Sequence, residues 1–135
     1  MDVIQLTREL GKAIQADTRY SDYIRARVAN DNDAELQNMI AEFNRSRTIL
    51  NNEVSKTTER NEDRIEELKN SVGELYSKIM KNENMSAYND AKNEMDNLLR
   101  QITTIINMSA NGEDPDTCDA NYGCTGSCAT CGGCH

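Results

Sequence analysis

Five cysteines, Cys118, Cys124, Cys128, Cys131 and Cys134, fall within the last 18 of 135 residues, and His135, the one histidine, follows directly. The run reads C-x5-C-x3-C-x2-C-x2-C-H, with Gly123, Gly126, Gly132 and Gly133 among the intervening residues. Two consecutive C-x2-C steps let neighbouring thiolates reach one metal centre. The glycines supply the positive φ angles and close backbone approach that a chain wrapping a small ion or cluster needs. Metal ligation is therefore the chemistry on offer. Cys124, Cys128, Cys131 and Cys134 are the closest-spaced donors, Cys118 is a spare or one shared with a partner, and His135 is a weaker candidate at a mobile chain end.

Two metals fit this donor set. Iron–sulfur clusters suit a compact run of closely spaced cysteines built from C-x2-C steps. Zinc is satisfied by four thiolates, or by three with His135, although two C-x2-C pairs across a long loop are absent. A disulfide scaffold conflicts with the odd cysteine count and with the absence of a basic, apolar leader. The spacing from Cys124 through Cys128 to Cys131 also matches that of radical SAM enzymes, but no barrel-sized αβ domain surrounds it. A flexible tail that merely scavenges metal is the plainest alternative.

The elements that must position this tail lie before Asn111-Gly112. All Lys and Arg occur up to Arg100, and residues 113–135 add four carboxylates, half of the net charge of −8. Such a chain repels a polyanion and so does not bind nucleic acid by itself. Hydrophobic residues make up 37%, with one Phe, one Pro and no Trp, which points to a lean helical bundle. No apolar run approaches the roughly 20 residues of a membrane span, and the expected location is the cytoplasm. The chain divides into a helical domain, 1–112, and an acidic, Cys/Gly-rich tail, 113–135.

Val3, Leu6, Leu10, Ala13 and Ile14 form one stripe of a first helix over roughly residues 2–16. Asp17-Thr18 stops it and caps a second helix, marked by Tyr20, Tyr23, Ile24 and Val28 and ending at Asn30. Tyr20 and Tyr23 could form a recognition surface, but the preferred reading is core or rim residues with wet hydroxyls. Asp31-Asn32-Asp33 opens the longest pattern, Leu36, Ile40, Phe43, Leu50 and Val54, which fades into the polar run 56–63. Ile65, Leu68, Val72, Leu75 and Ile79 resume it, and Asn82-Glu83-Asn84 ends it. A last helix carries Met85, Tyr88, Met95, Leu98, Leu99, Ile102, Ile105 and Ile106 and stops at Asn111-Gly112. Helices over 33–56 and 85–110 would each extend roughly 36–39 Å at about 1.5 Å per residue. The expected fold is thus all-α: about five helices as an elongated hairpin or bundle, with a thin core that association with a copy or relative would stabilise.

Before Cys118 the chain has no His or Cys to act as base or nucleophile, and its carboxylates sit on solvated helical faces, so no enzyme is expected. Arg25, Arg27, Arg45 and Arg47 could face an acidic partner, but charged helix faces are usually only solvated.

The sequence resembles the YlbF/YmcA family of small helical bacterial regulators. The resemblance is carried by Leu10 to Ile14 with Tyr20 to Tyr23, by Leu36 to Phe43, and by Asn82 to Tyr88 with Ala91 leading into Leu98-Leu99. The tail resembles that of the YlbF branch. For that branch the resemblance implies a non-enzymatic cytoplasmic regulator carrying [4Fe-4S] clusters. It would assemble with a YmcA-type paralogue and a YaaT-type protein and steer RNase Y-dependent RNA processing, with effects on competence, sporulation and biofilm formation.

Overall fold

A computed structural model describes residues 1–121. Among the described residues there are five helices and no strand: α1 (Val3–Ala16), α2 (Thr18–Asn32), α3 (Ala34–Val54), α4 (Glu62–Lys81) and α5 (Glu83–Ala110). The chain forms two compact bodies, one over Met1–Ala91 and one from Lys92 onward.

Each helix of the first body starts on a side chain that the sequence supplies. Asp2 caps α1 in a reciprocal box with Gln5. Asp17 ends α1 and caps α2 through the Arg19 backbone N–H. Asp33 caps α3 through Leu36 N–H at 3.0 Å, so α2 runs two residues past the expected Asn30, because Asp33 and not Asp31 makes the cap. Asn61 caps α4 through Arg64 N–H, with Glu62 and Asp63 favoured in the first turn by the helix dipole. Asn82 accepts from the backbone N–H groups of Asn84 and Met85, which starts the last helix at Glu83, two residues earlier than the apolar pattern indicates.

The centre of the first body is the antiparallel pair α3–α4. Residues near 33 meet those near 82, Phe43 meets Tyr76, and Glu53 meets Asn61, so position rises along one helix as it falls along the other. Leu36 is fully buried, and Ile65 and Ile79 join it, while Ile40, Leu50, Leu68, Val72 and Leu75 are half-buried around them. The expected stripe of α3 differs at its end. Val54 is exposed and Glu53 takes the inward position at 6% exposure. Burial is tolerated because the Glu53 carboxylate accepts the Asn61 N–H at 2.9 Å and the Lys56 ammonium lies 2.8 Å away. The connecting loop includes Glu59 at φ 58°, a left-handed conformation uncommon outside glycine.

The hairpin's other end is tied by amides. Asp33 Oδ2 accepts from Asn82 Nδ2 at 3.2 Å and Asn84 Nδ2 at 3.0 Å, joining the starts of α3 and α5. Asn30, 7% exposed, donates to Met85 Sδ at 3.4 Å, and its side-chain and backbone oxygens accept from Gln37 Nε2. Tyr23 of α2 lies against Tyr88 at 5.9 Å between ring centres, which confirms the packing role expected for this ring. Asp33→Ala removes the α3 cap and strands two amides together, and is expected to lower Tm by on the order of 5–10 °C, whereas Asp31→Ala leaves it nearly unchanged. Thermal melts followed by circular dichroism at 222 nm check this pair.

Candidate functional site

The tail is launched by a built turn in the second body. Gly112, at φ 92°, ends α5 in a Schellman arrangement: its N–H donates to Ser109 O at 3.1 Å and Glu113 N–H donates to Met108 O at 3.0 Å. This is the stop expected at Asn111-Gly112. Asp114 then organises the next turn, its side chain accepting from Asp116 N–H and its carbonyl from Cys118 N–H, both at 2.9 Å. Asp119 repeats the device with Asn121 N–H, and Gln101 Nε2 of α5 donates to Asn121 Oδ1 at 2.9 Å. The segment 113–121 therefore returns along α5 for some ten residues of helix before it ends its described course.

Cys118 is half-buried in this turn, with its Sγ 3.7 Å from the Pro115 carbonyl, a distance at which the thiol makes a weak hydrogen bond. Cys124, Cys128, Cys131, Cys134 and His135 lie outside the described residues. Among the described residues no group of three or more His, Cys, Asp or Glu side chains is placed to hold a metal ion. In sequence, Asn121 of the Gln101–Asn121 bond lies between Cys118 and Cys124.

The remaining polar clusters of the first body are structural. An open groove of about 460 Å3 at the start of α4 is lined by Asn61, Asp63, Arg64, Glu67, Leu68 and Ser71, a mixed-charge set without a nucleophile–base pair. Three carboxyls have pKa values below their ordinary range. Asp17 is held down to about 2, first by the Arg19 guanidinium that donates to both its oxygens at 2.8 Å and then by the Arg19 backbone N–H. Asp33 is lowered by Leu36 N–H and then by the amides of Asn84 and Asn82. Glu53 is lowered by Lys56 and then by Asn61 N–H. The two cross-helix ties, at Asp33 and Glu53, escape an analysis of apolar periodicity. The only signals for them are an Asx cluster and an acid beside the inward Leu50, and neither names its partner. Of the arginines that could face an acidic partner, Arg25 pairs with Asp22 at 3.5 Å, and Arg47 lies 6.0 Å over the Phe43 ring.

The fold defines an all-α protein whose described polar clusters cap and join helices and form no catalytic constellation. The chain belongs to the family described as control of competence regulator ComK, YlbF/YmcA, whose model matches residues 3–110. The resemblance drawn from Leu10 to Leu99 is thereby shown, and the matched span ends with α5, before the cysteine tail. No curated protein and no solved structure matches the chain. No helix among the described residues is long and apolar enough to cross a membrane.

The acid response follows from the three lowered carboxyls. A carboxyl whose folded pKa is depressed contributes stability that is present above its unfolded pKa, near 4, and lost as pH falls through the folded value. Helical circular dichroism and Tm are expected to be flat from about pH 7 to 5 and to fall between about pH 4 and 2. Asp17→Asn is expected to reduce the part of that fall that extends toward pH 2.

Proposed function

We propose that the protein is a cytoplasmic, non-enzymatic adaptor in which a helical body for assembly carries an iron–sulfur cluster on its tail. The reading rests on membership of a family that controls the competence regulator ComK, joined to a run of four cysteines at C-x3-C-x2-C-x2-C spacing beyond the matched span. Cys124, Cys128, Cys131 and Cys134 would hold a [4Fe-4S] cluster, and their number and softness fit that group. When bound, the cluster supplies a centre sensitive to oxygen and iron supply. Cys118, engaged with Pro115, is the spare thiol.

The body would dock a YmcA-type paralogue and a YaaT-type protein and act on RNase Y-dependent RNA processing through them, with effects on competence, sporulation and biofilm formation. The net charge of −8 supports protein-mediated action, since the chain offers no counterion-release term for binding RNA directly. Structural zinc on the same thiolates is the second reading, supported by the tetrahedral fit of four cysteines.

Anaerobic purification with iron, sulfide and zinc analysis separates the two. The expected result is iron and sulfide with an absorbance band near ~400 nm, reduced at least severalfold by Ser at any of Cys124, Cys128, Cys131 or Cys134 and little changed by Cys118→Ser. One zinc per chain without iron would replace the cluster by the zinc reading. A chain that holds neither metal would remove both.

A further inference from the structure

Of the six methionines in the chain, Met85 has a sulfur that serves a buried polar group. Its Sδ accepts from Asn30 Nδ2 at 3.4 Å, and Asn30 is 7% exposed, so water does not stand in for the sulfur. The orientation of that amide is set from its other side. Gln37 Nε2 donates to the Asn30 side-chain oxygen at 3.1 Å and to the Asn30 carbonyl at 2.8 Å, which turns Asn30 Nδ2 toward Met85. Met85 is held as well, because its own N–H donates to Asn82 Oδ1 at 3.0 Å in the cap of α5. The residue is nevertheless only half-buried, so a small solute has access to it.

The same sulfur is half of a seam between two helices. Tyr23 and Asn30, seven residues apart, share one face of α2, and Met85 and Tyr88, three apart, share one face of α5. Tyr23 lies against Tyr88 with ring centres 5.9 Å apart, and Asn30 meets Met85, so two side-chain pairs join the helices in antiparallel order. Met80 gives the contrast. Its sulfur lies 3.8 Å from Asn89 Nδ2, but this contact is exposed, and water takes the place of any acceptor lost there.

We propose that Met85 is an oxidation site at which a hydroperoxide opens the seam between α2 and α5. In the step, a sulfur lone pair takes one oxygen of hydrogen peroxide. An S–O bond forms, the O–O bond breaks, the sulfur gives up two electrons, and the second oxygen leaves as water with both protons. A separation of 3.4 Å between Sδ and Asn30 Nδ2 leaves no room for an oxygen between them. With the oxygen on the other side, the sulfur facing Asn30 is electron-poor and no longer accepts. Either the buried amide loses its acceptor or the start of α5 moves off Asn30, and both outcomes loosen the joint that Gln37, Asn82 and Asn84 share. The change is reversible: two thiols remove the oxygen as water and close to a disulfide, under a sulfoxide reductase. The inference is independent of the metal and of the adaptor reading.

Hydrogen peroxide applied to the full chain tests it, with peptide mass spectrometry to place the added oxygen. The expected result is sulfoxide at Met85 and a Tm lower by on the order of 5–10 °C, as one buried donor without its acceptor implies. Amide hydrogen exchange is expected to quicken at residues 24–32 and 83–90, the two sides of the seam. Sulfoxide reductase with dithiothreitol, and not dithiothreitol alone, restores both readings. Met85→Leu, a volume-conserving change, is expected to abolish the fall, whereas Met80→Leu falls as wild type does. Thiols oxidised elsewhere are common to all three chains, so the difference isolates one sulfur. Met85 left as sulfide when Met80 is fully converted, a Met85 sulfoxide with unchanged Tm, or an equal fall in Met85→Leu would each overturn the inference. Should Met85→Leu not fold, the exchange pattern of the oxidised wild type decides: acceleration that spares residues 24–32 and 83–90 overturns it as well.

Discussion

The Asp33 carboxylate makes one contact too many to be only a helix cap. One oxygen completes the start of α3, and the other receives the side-chain amides of Asn82 and Asn84, where α5 begins. Two helix starts that lie 49 residues apart in sequence are thereby joined through one charged group. Asn30 and Gln37 extend the junction toward α2, and the sulfur of Met85 completes it. The geometry of the first body depends on this joint, because the apolar core beneath it is small. Leu36 is fully withdrawn from water, and Ile65 and Ile79 are the other large apolar side chains buried there.

A thin core shifts stabilisation toward directed polar contacts. Buried hydrogen bonds are individually modest, but a charged acceptor shared by several donors is stronger than a neutral pair and fixes register as well as proximity. Glu53 repeats the principle at the far end of the α3–α4 pair, where its carboxylate closes the loop onto Asn61 N–H. The hairpin is therefore tied by an acid at each end with aliphatic packing between. This economy leaves large apolar side chains such as Val3, Leu6 and Tyr76 at the surface.

The described start of the tail, residues 113–121, follows the same logic of local, polar fixation. A glycine stop, two Asx turns and one Gln–Asn bond carry the chain back along α5 without contributing apolar core. The family model matches residues 3–110, and the tail lies beyond its last matched residue.

Much of this was determined locally and was legible in the sequence. The five helices, their Asx caps at Asp17 and within Asp31-Asn32-Asp33, and the glycine stop at Gly112 depend on residues within one turn of each other, so spacing alone reveals them. The family followed from positions spread over the same helices. Tertiary structure decided what periodicity cannot carry. An apolar stripe states that a face is available for burial but not what covers it, so spacing places Val3 and Leu6 on one face of α1 without showing that they stay exposed while Leu10 and Ile14 are half-buried. A carboxylate beside an apolar position reads as solvent-facing until a partner from another element is known. Glu53 turned inward and Val54 outward because Asn61, eight residues on, supplies the N–H that makes burial of the charge tolerable.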